Sequence, residues 1–130
     1  MNSRRVTHLV TNPLDLAELI GETRRDSDGG VAAFLGVVRS ENEGRRVEAI
    51  EYTAYAPMAE REMGRILEEL RAAFPGTTVA MRHRLGILSV GEASVAIVAA
   101  SAHRNEAFAA CREAIEKIKA RVPIWKKEMG

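Results

Sequence analysis

Apolar residues along this chain fall into two kinds of stretch, continuous runs bounded by turn residues and positions recurring at helical spacing, and together they lay out an element order. Val6 to Val10 predicts a short strand. Asn12-Pro13 then opens a helix, with Asn12 as N-cap and Pro13 at the first helical position. Leu14, Leu16, Ala17, Leu19 and Ile20 supply its apolar side. After the polar turn from Arg24 to Gly30, Val31 to Val38 is apolar almost throughout, as in a strand buried on both faces. Gly36 within it points to a bulge or a close backbone approach. Ser40 to Arg46 is polar throughout and is expected to form a mobile surface loop.

Val47 to Tyr55 reads as the next strand, with Ile50, Tyr52 and Ala54 alternating against Glu51 and Thr53. Pro57 begins a helix in which Met63, Ile66, Leu67, Leu70 and Phe74 recur at helical spacing until Pro75-Gly76 ends it. Thr77 to Leu88 and Ala93 to Ala100 are predicted strands separated by a turn at Ser89 to Glu92, the second again a buried run. Arg104 to Arg121 is the last helix, stopped by Pro123, with Ile124 and Trp125 starting an extended tail. The order β-α-β-β-α-β-β-α favours an α+β fold, helices packed on a mixed or antiparallel sheet. At 130 residues, 1–130 is expected to form a single domain.

Composition narrows the function classes. The chain is 46% hydrophobic and 28% charged, ordinary for a globular protein. Its 19 basic and 18 acidic residues leave a net charge of +1, so no global basic field for nucleic acid or anionic membrane exists. No stretch approaches the roughly 18 apolar residues of a membrane span. No signal-peptide core forms in Met1 to Leu16, where polar residues interrupt the apolar ones. The single Cys111 makes no intramolecular disulfide, which fits a reducing cytoplasm.

Chemistry concentrates near the C-terminus. On the last helix, at about 100° per residue, Ala107, Cys111, Ile115 and Ile118 share a core-facing arc with Phe108 at its edge. Lys119 adjoins that arc, so its stem should run along apolar surface while its ammonium emerges, partly desolvated, at the sheet margin as a candidate general acid or base. A lysine that merely snorkels from an amphipathic face has the same spacing. His103-Arg104 stands at the helix start, where backbone N–H groups favour a phosphate or carboxylate; a histidine near a helix cap reads equally well as structural. Arg39 and Ser101 fall at strand ends, where ligand sites tend to form. His8, His83 and His103 have no metal-ligand spacing with one another or with Cys111. No GxGxxG or phosphate-loop string occurs, and aromatic residues are too scattered for base stacking.

These residues lie within strings that resemble one family across nearly the whole chain: Phe34-Leu35-Gly36-Val37-Val38-Arg39, Tyr55-Ala56-Pro57-Met58, His83-Arg84-Leu85-Gly86, Ser101-Ala102-His103-Arg104, and Lys119 to Glu128. The last two are specific. The resemblance is to the large, catalytic subunit of molybdopterin synthase, the MoaE family. It implies an α/β hammerhead fold with a small extra β subdomain, and a central homodimer flanked by two small ubiquitin-like subunits in a heterotetramer. The small subunit's Gly-Gly tail, ending in a thiocarboxylate, delivers sulfur to cyclic pyranopterin monophosphate in two transfers, forming the dithiolene without ATP or metal.

Carried onto this chain, the resemblance implies that Arg39 and the backbone of Val37 and Val38 line the substrate pocket. Lys119 and Lys126 are then its catalytic cations, Lys127 and Glu128 extend its wall, and His103 and Arg104 reach the pocket of the neighbouring protomer. Lys119 would stabilise a tetrahedral oxyanion or shuttle a proton. The family's usual further C-terminal segment has no counterpart after Gly130. Two rival readings follow: a dimeric binding module that docks the ubiquitin-like partner without turnover, and a polyanion binder using the local cations, against which charge neutrality counts.

Overall fold

The computed structural model describes residues 7–130. A four-stranded mixed sheet has the order β1 (Leu9–Val10), β6 (Thr78–Arg84), β8 (Ala93–Ser101) and β2 (Gly30–Val37). The β1–β6 pair is parallel and the other two pairs are antiparallel. Helices α1 (Leu16–Thr23), α2 (Ala56–Ala73) and α3 (Arg104–Arg121) flank it. A second sheet of three antiparallel strands has the order β7 (Gly86–Ser89), β5 (Ala49–Ala54) and β9 (Ile124–Met129). A two-stranded hairpin, β3 (Glu41–Asn42) and β4 (Arg45–Arg46), completes the α+β fold. No helix among the described residues is long and apolar enough to cross a membrane.

The main core lies between the four-stranded sheet and helices α2 and α3. Helix α2 turns Ala59, Met63, Ile66 and Leu70 inward, and α3 contributes Ala107, Ala110, Cys111, Ala114 and Ile118. Small residues on α3 let the helix approach the alanine-rich β8, whose interior positions are all buried. Phe108, expected at the edge of that arc, is 64% exposed. A smaller core of Val38, Val47, Ile50 and Leu88, with Tyr52 against it, lies beneath the three-stranded sheet.

Several expectations change. Helix α1 starts later than Asn12-Pro13, because Asp15 is the residue whose carboxylate accepts the Glu18 N–H at 3.0 Å and caps the first turn. Of the strand expected from Val6 to Val10, Leu9–Val10 forms, and Val6 lies outside the described residues. The long strand expected from Thr77 to Leu88 is two strands in different sheets, broken at Gly86, whose φ of 112° suits glycine. The extended tail after Pro123 is β9, paired with β5 from Ala54↔Ile124 to Ala49↔Met129.

Strand β2 is not buried on both faces. It is a sheet edge, paired only to β8, and Val31, Phe34, Leu35 and Val37 are 37–45% exposed. Its apolar run therefore faces solvent in the single chain. The bulge expected at Gly36 is present, since the register with β8 shifts between Gly36 and Val37. The polar segment expected to be a mobile loop instead closes a hairpin: Glu43 and Gly44 have φ of 52° and 80°, as a two-residue turn with two left-handed residues requires.

Candidate active site

The bulge at Gly36 redirects the chain after β2. A Cβ built on Gly36 would come 2.7 Å from the Val95 side chain, so only glycine lets β2 pass β8 this closely. Val38 is then pinned, its N–H donating to the Glu92 carbonyl at 3.0 Å and its carbonyl accepting from the Gly91 N–H at 2.9 Å. Arg39 follows at the mouth of a cavity of about 400 Å³ between the end of β2, the C-terminal turns of α3 and the three-stranded sheet.

Of the predicted site residues, Val37, Val38, Arg39, Lys119, Lys126 and Glu128 all line this one cavity. Helix α3 presents Ile115, Ile118 and Lys119 to it on successive turns, so the Lys119 stem leaves the apolar lining as its spacing predicts. Lys119 is exposed in the single chain. Lys126 arrives from the second sheet, opposite Tyr52 in the β5–β9 register. Cα partners across a ladder share a face, so Tyr52 lines the cavity beside it. The backbone N–H and carbonyl of Val38 are both engaged by the turn after β7, and it contributes a buried side chain to the lining.

Lys127 falls on the other face of β9, opposite Glu51, and is outside the lining. His103 and Arg104 are also elsewhere. They cap and begin α3, and Lys119 lies 15 residues after Arg104, a rise of about 22 Å along the helix. Ser101 is buried and its hydroxyl accepts a hydrogen bond from Thr77 at 2.9 Å, a structural contact outside the cavity.

Charge in the cavity is uneven. Among the described residues, Arg39, Lys119 and Lys126 make no ion pair. Arg39 only donates to the Asn42 side-chain carbonyl at 3.4 Å. The Glu128 carboxylate is already occupied, accepting from Asn42 Nδ2 and, at 3.3 Å, from Arg45. Glu41, on the hairpin, adds a second carboxylate to the rim. The unpaired cations thus converge where an anionic ligand would find apolar walls and three donors. The sequence reading missed His83, Tyr52 and Asn42 on the lining; no spacing rule connects positions brought together from three separate strands.

Comparison with known proteins identifies the family. The sequence model of the family described as MoaE protein matches residues 9–121. A molybdopterin synthase catalytic subunit from Oryza sativa subsp. indica is 46% identical over 116 residues, 89% of this chain, which spans 60% of that relative's length. One from Pyrococcus abyssi is 44% identical over 123 residues, covering 93% of this chain and 83% of the relative. A crystal structure of molybdopterin synthase from Staphylococcus aureus superposes with a TM-score of 0.92 at 37% identity, covering 98% of this chain and 93% of that one. The chain belongs to the MoaE protein family.

Proposed function

We propose that this protein is the catalytic subunit of a molybdopterin synthase, moving sulfur from the C-terminal thiocarboxylate of a small ubiquitin-like subunit to cyclic pyranopterin monophosphate. The observation that carries this reading is the convergence of Arg39, Lys119 and Lys126, unpaired among the described residues, on one cavity. Both reactants are anions. Two unit charges about 4 Å apart repel by about 4 kcal/mol at an effective dielectric near 20, and cations between them remove that barrier to encounter. Arg39 and Lys126 take the substrate phosphate and the tail. Lys119 stabilises the oxyanion as the acyl carbon of the tail becomes tetrahedral. No cofactor takes part in this reading.

The site is completed by a second copy of the chain. His103 and Arg104 are too far along α3 to serve their own cavity, and they reach that of the partner protomer in a homodimer within a heterotetramer. The exposed apolar edge of Val31, Phe34, Leu35 and Val37, with Phe108 beside it on α3, supports burial against another protein surface. The protein acts in the cytoplasm, where the lone buried thiol of Cys111 suits a reducing environment. The test is product formation: the purified protein with thiocarboxylated small subunit and cyclic pyranopterin monophosphate should yield the dithiolene. Binding of the small subunit without product would instead favour a docking module.

A further inference from the structure

Sulfur transfer has a second half in which Lys119 can stabilise the oxyanion but no cation can accept the proton. When the thiocarboxylate sulfur bonds to a substrate carbon, the C–O bond at that carbon breaks and the oxygen leaves with the electron pair. The sulfur remains attached to the acyl carbon of the small subunit's tail, leaving a thioester. Release requires water: the water oxygen bonds to the acyl carbon, the acyl C–S bond breaks, sulfur leaves as a thiolate on the pterin, and the tail departs as a carboxylate. One water proton must be accepted during attack. Arg39, Lys119 and Lys126 are donors, Glu128 is taken up by Asn42 and Arg45, and Glu41 stands exposed on the hairpin at the rim.

We propose that His83 is the general base for this hydrolysis, an assignment that rests on the sulfur-transfer reading above. His83 lines the cavity from β6, on the strand face shared with the core residue Met81. Its Nδ1 lies 2.9 Å from the Arg84 carbonyl oxygen. A carbonyl only accepts, so Nδ1 carries the proton and Nε2 keeps the lone pair. Nε2 has no hydrogen-bond partner among the described residues and is not sealed from solvent. The ring packs edge-on against Tyr52, centroids 5.2 Å apart and planes at 67°, which fixes its orientation. Tyr52 is in turn the ladder partner of Lys126, so the imidazole and Lys126 flank the same tyrosine on the cavity lining. Burial lowers the imidazole below its usual range, keeping the ring neutral at pH 7.

The experiment is a single turnover of His83→Asn with thiocarboxylated small subunit and cyclic pyranopterin monophosphate, followed by intact mass. Asparagine keeps an N–H donor for the Arg84 carbonyl and removes the base. The wild type releases small subunit with a carboxylate terminus; the variant should accumulate a hydroxylamine-sensitive adduct of small subunit and pterin, its decay slowed at least ~100-fold. His83→Gln, judged alongside by melting temperature and dimer mass, should trap the same adduct. Release at the wild-type rate from either folded variant overturns the proposal, as does loss of both adduct and pterin binding, which marks a structural role. If the wild type itself forms neither adduct nor product, the sulfur-transfer reading fails first and the base assignment falls with it.

Discussion

Asn42 and Glu128 are hydrogen-bonded across the rim of the cavity, joining the β3–β4 hairpin to strand β9. Arg45 adds a 3.3 Å contact to the same carboxylate, and Arg39 reaches the other end of the Asn42 amide. Glu128 thereby holds an otherwise polar hairpin over the cations. Glu128→Ala should detach it, weakening the hairpin by about 0.5–1.5 kcal/mol per lost bond. Hydrogen exchange should report this as faster exchange at the Val47 N–H, which donates to the Ser40 carbonyl at 2.8 Å. Steady-state kinetics should show KM rising more than kcat falls.

That hairpin also shows where sequence patterning runs out. Glu41-Asn42 and Arg45-Arg46 carry no apolar alternation, so nothing in a hydrophobic pattern separates them from a loop. Their pairing depends on the turn at Glu43-Gly44 and on Glu128, which is far away in sequence. Helices α2 and α3 and the buried β8 were legible because periodicity and burial coincide there. Strand β2 was legible as a strand but not as an edge: its apolar side chains look the same whether a sheet or a second protein covers them. Lys119 and Lys126 stood out as cations beside apolar positions, but their meeting with Arg39 depends on the pairing of β9 with β5.

Gly29 and Gly30, where the chain enters β2, lie hard against the segment that leads into His103-Arg104. A Cβ on Gly29 would come 2.7 Å from the Ala102 carbonyl oxygen, and one on Gly30 would come 3.0 Å from the Arg104 backbone. Gly29→Ala should therefore displace the start of α3 and destabilise the fold by about 1–3 kcal/mol, as overpacking does. Chemical denaturation checks the stability. Activity should fall further than stability accounts for, because the displaced residues are the ones proposed to serve the neighbouring site.

Acid stability should depend on Arg121. Its guanidinium bonds Glu62 at 2.7 Å and Glu69 at 2.6 and 2.9 Å, tying α3 to α2. Bonds from Arg121 and then Lys117 hold the Glu69 carboxyl down from 4.5 to about 2, and Arg121 lowers Glu62 also. A carboxyl depressed in the folded state stabilises fully above its unfolded value and loses that contribution as pH falls through its folded one. The melting temperature should thus decline between about pH 4.5 and 2. Arg121→Met should have a lower melting temperature at pH 7 and a shallower decline across that window.

The proposed division of each site between protomers predicts complementation. Lys119→Ala removes a group from its own cavity, whereas the double substitution His103→Ala and Arg104→Ala removes groups serving the partner's. Each variant alone should be nearly inactive, while mixed dimers should regain one working site of two. Activity absent from purified mixed dimers would place all these residues in one protomer's site.

Turnover of Lys119→Ala with thiocarboxylated small subunit and cyclic pyranopterin monophosphate, measured alongside its affinity for that subunit, tests the role of the cation-lined cavity. Lys119 is exposed and lines the cavity, so its removal should leave folding and partner binding nearly intact. Dithiolene formation should fall by ~100-fold or more, the loss expected when an oxyanion-stabilising donor is removed. Turnover at the wild-type rate would show that Lys119 takes no part in sulfur transfer.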